Sequence, residues 1–178
     1  MRQIRLSGTG GQGLILAGII LAEAAVLDGR LAVQSQSYGP EARGGSSKSE
    51  VLIDANPIHY PKITLPDTVL AMSQEACDKY TGDLPEEGLL ITDSLFVARL
   101  PKRRIKTVLS LPITRTAKEQ LGKVLFANIV ALGALVEITG CVSAGSLKKA
   151  VLARVPKGTE ILNEKAMSLG AGLAGAGG

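Results

Sequence analysis

Glycines near the amino terminus stand at a spacing that could bind a phosphate group. Gly8, Gly10 and Gly13 form the pattern G-x-G-x-x-G, and Gly11 lies inside it. In this pattern one glycine permits a tight turn, one lets a ligand approach the backbone, and one allows close packing of a helix on a strand. A helix that begins after such a turn points free N–H groups at an anion. The four glycines therefore predict a phosphate-type turn, without naming its ligand.

A second dense group of residues follows the next strand pattern. It consists of Tyr38, Gly39, Pro40, Glu41, Arg43, Gly44 and Gly45. The glycines let the backbone approach another surface closely, and an arginine suits bidentate binding of a carboxylate or phosphate. The alternative is a surface turn with an internal Glu–Arg ion pair. The mixture of residue types favours an interface or the surround of an active site.

The other reactive side chains form no catalytic or metal-binding pattern. His59 is the only histidine, and its position between Pro57 and Pro61 is typical of a loop. Cys77 and Cys141 are isolated from each other, whereas metal and iron–sulfur sites need clustered ligands. We therefore predict packing roles for both cysteines, and neither catalytic residues nor a metal site in this chain. Any electron carrier must belong to another chain.

A nicotinamide cofactor is disfavoured by a missing carboxylate. Folds that bind it carry an acidic residue about 20 residues after the glycine pattern. Residues 33–37 read V-Q-S-Q-S, and Glu41 lies beyond them. The hypothesis that the chain is an NAD-dependent dehydrogenase is therefore disfavoured. A nucleotide- or coenzyme A-binding module that self-associates stays open as an alternative.

The composition limits the kinds of partner that this chain can bind and the cellular compartment in which it is expected. The 178 residues are 46% hydrophobic and carry a net charge of +4. The apolar runs at 14–22 and 124–136 are shorter than the roughly 18 residues of a membrane-spanning helix. We therefore assign the excess apolar surface to contacts with other protein chains, which include copies of this chain when it is isolated. The basic cluster at 102–106 is interpreted as a solvated turn, not as a nucleic-acid contact. Two isolated cysteines and no visible signal peptide predict a cytoplasmic protein.

Alternating strand and helix patterns must position these residues. Strands are predicted at 4–6, 32–35, 50–53, 68–72, 88–92 and 107–111, with a loop at 37–49. Helices are predicted at about 12–27, 74–80, 116–138, 147–154 and 160–169, with Ser73 and Ser146 as N-caps. The alternation predicts an α/β fold with a Rossmann-like, mostly parallel sheet flanked by helices. It forms a single domain at 1–170, followed by a flexible Gly/Ala tail at 171–178.

Several segments together resemble one family. They are G-T-G-G-Q-G-L at 8–14, A-G-x-x-L-A-x-A-A at 17–25, S-Y-G-P-E-A-R-G-G at 37–45, S-x-S-E-V at 47–51, D-T-V-L-A-M-S-Q-E-A at 67–76 and A-N-I-V-A-L-G-A at 127–134. These motifs resemble the gamma subunit of 2-oxoacid:ferredoxin oxidoreductases over about residues 1–170. The segment at 37–45 is much more specific than the glycine turn.

The resemblance implies a subunit of a heteromeric oxidoreductase. Such complexes decarboxylate a 2-oxoacid on thiamine diphosphate, pass electrons through iron–sulfur clusters to ferredoxin, and release an acyl-coenzyme A. The implied partners are alpha, beta and ferredoxin-like delta subunits, and this chain alone holds no cofactor and has no activity. Tyr38, Glu41 and Arg43 then face a neighbouring subunit or the coenzyme A channel. The short, separate chain favours the 2-oxoglutarate branch, although the pyruvate, branched-chain and indolepyruvate versions share these motifs.

Overall fold

The computed structural model describes residues 1–38 and 45–176. Within these residues the strands are β1 (Arg2–Thr9), β2 (Leu31–Tyr38), β3 (Ser46–Asp54), β4 (Thr68–Ala71), β5 (Leu89–Asp93) and β6 (Thr107–Leu111). The helices are α1 (Leu14–Leu27), α2 (Gln74–Tyr80), α3 (Ile113–Leu121), α4 (Ala127–Thr139), α5 (Ala144–Arg154) and α6 (Glu160–Ala176). A 3₁₀ turn, Val124–Phe126, precedes α4.

The strands form one sheet in the order β2-β3-β1-β4-β5-β6. Strands β1, β4, β5 and β6 are parallel, whereas β3 runs antiparallel to both β1 and β2. The predicted α/β fold with a mostly parallel sheet is confirmed. The predicted loop at 37–49 is wrong at both ends, because β2 continues to Tyr38 and β3 already begins at Ser46. Serine has little strand preference, so only the pairing of β3 between two neighbours reveals this segment as a strand.

The inner strands β4 and β5 are buried on both faces of the sheet, which explains their short apolar runs. In β4, Leu70 joins the larger core beneath α1, α3, α4 and α5, while Val69 and Ala71 point into the smaller core that α2 covers. None of the helices formed by the described residues has both the length and the apolar character needed to cross a lipid bilayer.

The predicted long helix at 116–138 is wrong, because the chain forms two helices there. Helix α3 ends at Gly122, which has a left-handed backbone with φ of 75°, and its N–H donates to the Lys118 oxygen. Glycine adopts this conformation at little cost, so it ends helices. The apolar pattern continues through the break because α4 is itself buried from residue 127 to residue 136.

Two helix ends near the carboxyl terminus also differ from the prediction. Ser143, rather than Ser146, caps α5, and its Oγ accepts a hydrogen bond from the Ser146 N–H at 3.1 Å. Helix α6 extends to Ala176 instead of ending at 169. Local composition argued against a helix in this Gly/Ala segment, whereas packing against α4 favours it. The flexibility and domain boundary proposed for residues 171–178 stay predictions.

Helices α4 and α6 approach each other so closely that each needs a glycine at the crossing. A Cβ added to Gly133 would lie 2.2 Å from the Met167 oxygen, and one added to Gly170 would lie 2.0 Å from the Val130 oxygen. Both obstacles are backbone atoms, which cannot rotate away. The crossing therefore depends on the absence of two side chains.

We expect Gly170→Ala to lower the free energy of unfolding by about 1–3 kcal/mol, because the extra methyl group forces the helices apart. Gly172→Ala in the same helix is the matched control, since a Cβ there meets nothing within 4 Å. Alanine is the better helix former, so the control should be neutral or stabilising. Urea unfolding measures both variants. Equal stability of the two variants would contradict the packing argument.

Arg5 lies in β1 and is almost fully buried on the face that α2 covers. Its guanidinium donates to Glu50 Oε1 at 2.8 Å, to both carboxylate oxygens of Asp83 at 2.5 and 2.9 Å, and to the Tyr80 oxygen at 2.8 Å. The hydrogen bond from Arg5 lowers the pKa of the Asp83 carboxyl below its usual value. This network ties β1 to β3 and to the end of α2.

The Arg5–Asp83 pair predicts a loss of stability in acid. A carboxyl whose pKa is lower in the folded chain stabilises the fold above its unfolded pKa, and loses that contribution as the pH falls through the folded value. Asp83→Asn should therefore cost about 1 kcal/mol at pH 7, a modest value because Asp83 is 43% exposed and water screens the pair.

The difference between wild type and Asp83→Asn should begin to shrink below a pH of about 4, where the carboxyl of the unfolded chain becomes protonated, and should disappear as the pH falls through the lower pKa of the folded chain. Urea unfolding at pH 7 and pH 3 measures it. Asp78→Asn is the control, because the Asp78–Arg99 pair is exposed on both sides. A difference that stays constant with pH would contradict the assignment.

Candidate functional site

The carboxyl ends of the parallel strands bring several sequence-distant segments to one edge of the sheet. The glycine turn follows β1, and α1 then packs in the larger core, whereas α2 follows β4 and packs in the smaller core. The connections after β1 and β4 thus leave in opposite directions. In open α/β sheets, a crevice at such a point is the usual ligand position.

Contacts within the chain exclude a side chain at two glycines of the turn, Gly8 and Gly13, and backbone conformation favours glycine at Gly11 and Gly13. Gly11 and Gly13 have left-handed backbones, with φ of 92° and 74°. A Cβ added to Gly13 would lie 2.6 Å from Asn128 Nδ2 in α4. Gly8 lies inside β1, and Gly10 donates its N–H to the Gly45 oxygen at 3.0 Å. Gly13, the third glycine of the pattern, therefore leaves room for a side chain of α4. The pattern had predicted that this glycine lets a helix pack closely on a strand.

The crevice between β1 and β4 is filled by the Gln12 side chain. Its Oε1 accepts from the Thr9 N–H at 2.7 Å, and its Nε2 donates to the Met72 oxygen at 3.0 Å. A Cβ on Gly8 would lie 2.3 Å from the same Oε1 atom. A carboxamide of the protein thus satisfies the backbone groups that border this crevice. Sequence reasoning missed this role, because glutamine in a glycine turn carries no motif of its own.

The second predicted site is only partly within the described residues. Gly39, Pro40, Glu41, Arg43 and Gly44 lie outside them. Tyr38 ends β2 and is exposed, and Gly45 contacts the glycine turn through its oxygen. The structure therefore brings one end of this segment against Gly10.

The strand after this segment is anchored to α2. The Ser46 N–H donates to Glu75 Oε1 at 3.3 Å, and Lys79 Nζ donates to Ser46 Oγ at 3.1 Å. Lys48 and Lys79 both lie over the Tyr80 ring, at 5.8 and 5.4 Å from its centre. These contacts hold the segment's carboxyl-terminal end beside the glycine turn.

An apolar groove opens on the other side of the glycine turn. This carboxyl-edge groove has a volume of about 270 Å³ and is lined by Gly11, Gln12, Phe96, Thr114, Val124 and Leu125. Phe96, Val124 and Leu125 are 48%, 56% and 72% exposed. The sequence pattern placed Val124 and Leu125 inside a buried helix. The break at Gly122 turns them to the surface instead.

Buried oxygen atoms without partners lie close to this groove. Asp93 ends β5 and is fully buried, and its Oδ1 accepts from the N–H groups of Leu95 and Thr114 at 3.2 and 3.4 Å. Asp93 Oδ2, Thr92 Oγ1 and Thr114 Oγ1 find no hydrogen-bond partner in the described part of the chain. Such groups cost about 1–3 kcal/mol each and call for an explanation. The only sequence signal was the polar pair Thr92 and Asp93 at the end of an otherwise apolar strand.

The two cysteines and the histidine are the remaining candidates for reactive side chains. Burial raises the pKa of the Cys77 thiol to about 11 and also raises the pKa of Cys141, so both are protonated at neutral pH. A protonated thiol is a poor nucleophile, which agrees with the predicted packing roles. His59 is exposed in the connector before β4. Across residues 1–38 and 45–176, no three His, Cys, Asp or Glu side chains converge to hold a metal ion.

The basic cluster at 102–106 is held to the chain's own backbone and acidic residues. Arg103 donates to the Gly82 oxygen, Arg104 pairs with Glu86 at 3.2 Å, and Lys106 pairs with Glu87. These exposed pairs agree with the interpretation as a solvated turn.

Comparison with known proteins identifies relatives along nearly the whole chain. The sequence profile of the pyruvate ferredoxin/flavodoxin oxidoreductase family matches residues 3–173. The 2-oxoglutarate synthase subunit KorC of Methanocaldococcus jannaschii is 51% identical over 172 residues, which cover 95% of this chain and 91% of the relative. The ketoisovalerate oxidoreductase subunit VorA of Methanothermobacter marburgensis is 32% identical over 136 residues, which cover 76% of this chain but 28% of the longer relative.

A solved structure shares the fold at similar identity. The gamma subunit of a keto/oxoacid ferredoxin oxidoreductase from Geobacter sulfurreducens superposes with a TM-score of 0.89 at 52% identity, covering 99% of this chain and 97% of that one. The resemblance drawn from the motifs is therefore confirmed. The chain belongs to the pyruvate ferredoxin/flavodoxin oxidoreductase family.

Proposed function

We propose that this chain is the gamma subunit of a thiamine-diphosphate-dependent 2-oxoacid:ferredoxin oxidoreductase, with 2-oxoglutarate as the favoured substrate. The complex oxidatively decarboxylates the 2-oxoacid to an acyl-coenzyme A. One observation carries the proposal, namely 51% identity to a 2-oxoglutarate synthase subunit over almost the full length of both chains. Alpha, beta and ferredoxin-like delta subunits are the proposed partners. Reduced thiols such as Cys77 and Cys141 fit a cytoplasmic complex.

The described residues do not fit the redox cofactors of such a complex. Cys77 lies in the smaller core and Cys141 in the larger core, so the two thiolates cannot ligate one iron–sulfur cluster. The sequence also lacks the G-D-G pattern, with a downstream Asn-Asn, of a thiamine diphosphate site. We assign these cofactors to the partner subunits. The gamma subunit then supplies structure and one wall of the active-site surround.

The carboxyl edge of the sheet is the proposed contact face of the subunit. Gln12 fills the crevice where a dinucleotide lies in related folds, which disfavours an autonomous nucleotide-binding module. The glycine turn instead presents its backbone next to the segment that carries Tyr38, Glu41 and Arg43. We propose that these side chains face a neighbouring subunit or the coenzyme A channel.

Because the redox cofactors are assigned to the partner subunits, we expect the isolated chain to be inactive. With 2-oxoglutarate, coenzyme A and ferredoxin, the purified chain should show no oxidation, and titration calorimetry should detect no micromolar coenzyme A binding. Adding the chain to the other purified subunits should restore 2-oxoglutarate-dependent ferredoxin reduction. Turnover by the isolated chain would reject the proposal, and micromolar coenzyme A binding would favour the autonomous module.

Arg43 tests the proposed role of its segment. Arg43→Ala should lower specific activity or subunit association about tenfold or more, since truncating an interface arginine often costs about 2 kcal/mol. Arg104→Ala is the control, because Arg104 is 81% exposed in an isolated ion pair. The control should change either readout by less than about twofold. If Arg43→Ala and Arg104→Ala had equal effects in both assays, Arg43 would be an ordinary surface residue and the proposed role would be rejected.

A further inference from the structure

We infer that the lateral edge of the sheet formed by β2 pairs with the same edge of a second copy of this chain, so that two six-stranded sheets join into one. The two β2 strands run antiparallel about a twofold axis at Ser35. The inference goes beyond the proposed function and does not depend on it. Three features of the β2 edge support it: its unpaired backbone, its lack of charge and the complementarity of its two ends.

Strand β2 leaves one side of its backbone unpaired. It lies at the end of the sheet and pairs with β3 along all eight residues from Leu31 to Tyr38. Within residues 1–38 and 45–176, no backbone group outside β3 bonds to this strand. A groove of about 540 Å³ follows residues 33–37, so the edge is open. A row of free N–H and C=O groups in an extended strand is what another strand recognises, so we expect the occupant to be a strand.

The β2 edge carries none of the features that usually keep sheet edges apart. Its sequence, L-A-V-Q-S-Q-S-Y, contains no charged residue and no proline, and its pairing with β3 has no bulge. The opposite edge of the sheet differs, because β6 has only five residues, follows the basic cluster at 102–106 and is itself followed by Pro112. Charges, prolines, bulges and short strands are the usual protection against edge-to-edge pairing. The chain therefore protects one edge of its sheet and leaves the other available.

A second copy fits this edge in an antiparallel arrangement. A twofold axis perpendicular to the sheet keeps the α1-covered faces of both copies on the same side, so residues of the same face lie opposite each other. With the axis at Ser35, Val33 lies opposite Ser37 of the second copy, and Gln34 lies opposite its Gln36. The overlap covers residues 32–38, brings no like charges together and allows roughly six backbone hydrogen bonds between the copies.

The two ends of β2 complement each other about this axis. Tyr38 is 66% exposed and lies on the same face as Ala32, which packs in the larger core beneath α1. In the antiparallel arrangement, Tyr38 of the second copy lies opposite Ala32, on the side where α1 ends with the exposed Val26 and Leu27. An aromatic ring thereby meets apolar side chains twice, once at each end of the interface. A twofold interface requires such a self-complementary surface, which favours a second copy as the occupant.

Sedimentation of the purified full chain tests the interface. We expect the wild type to be dimeric at micromolar concentration, and Ser35→Lys to weaken self-association about tenfold or more, because two lysines then face each other at the axis. Within its own chain the new lysine lies opposite Glu50, an opposite charge that the fold tolerates. Thr107→Lys is the matched control, since it adds the same charge to the exposed start of β6 and should leave the dimer unchanged. A monomeric wild type, or equal association of the two variants, would overturn the inference.

Cysteine cross-linking tests the position of the axis. In Ser35→Cys the two new thiols lie opposite each other, with Cα atoms about 4.5–5.5 Å apart, so mild oxidation should join two chains through a disulfide. In Gln34→Cys the two thiols are offset by two positions along the strands and lie beyond that range. The wild type is the background control, because Cys77 and Cys141 are buried. Cross-linking through residue 34 instead of residue 35, or through neither, would overturn the inference.

The outcomes separate this inference from the proposed function. A reconstituted complex that oxidises 2-oxoglutarate while the isolated chain is monomeric overturns this inference alone. A chain that dimerises through β2 and does not restore that activity to the other subunits overturns the proposed function alone.

Discussion

Helix α4 packs against the sheet side of the larger core and against α6, and this double burial positions the whole carboxyl edge. Its first turn carries Asn128, which donates to the Gly13 oxygen at the start of α1. The 3₁₀ turn directly before it carries Val124 and Leu125 into the groove. The glycine crossing with α6 leaves no room for α4 to shift. A displacement of this helix would therefore move the glycine turn and the groove together.

The glycine turn illustrates how one local structure can serve different purposes. Its backbone has the left-handed residues and the following helix of a phosphate-binding turn, yet the Gln12 carboxamide satisfies the neighbouring backbone groups. A fold of this kind does not by itself imply a bound nucleotide, because function depends on the site that the fold presents. In this chain, the turn contacts α4 on one side and Gly45 on the other. Gly8 and Gly13 are thus explained by packing before any ligand is considered.

The two faces of the sheet differ in the side chains that they place near the carboxyl edge. On the smaller-core face, the Arg5 network and the contacts of Ser46 hold β3 and α2 in place beside the glycine turn. On the larger-core face, the helices leave exposed apolar side chains beside a nearly buried hydroxyl. The polar supports are internal to the chain, whereas the apolar side chains of the groove are about half exposed or more. This arrangement agrees with the proposed role of a subunit that presents the carboxyl edge of its sheet to another chain.

Local pattern was sufficient for much of the fold. The apolar runs of β4, β5 and β6, the glycine turn before α1 and the Ser73 cap of α2 all depend on neighbouring residues, and the structure agrees with them. The motifs at 8–14 and 37–45 were also sufficient to indicate the family. Free thiols and a lone histidine already argued against redox chemistry within the chain.

Tertiary contacts decided what local pattern could not. The serines of β3 form a strand because β1 and β2 pair with them on both sides, and α6 continues into the Gly/Ala segment past Gly170, which packs against the backbone of α4. Gly122 ends a helix that apolar periodicity would have continued, and this break exposes Val124 and Leu125. Gln12, Asp93 and Thr114 gained their roles only when distant strands met at one edge. The sequence by itself determined most of the elements and the family, whereas the carboxyl edge is assembled from residues far apart in the chain, whose proximity no local pattern encodes.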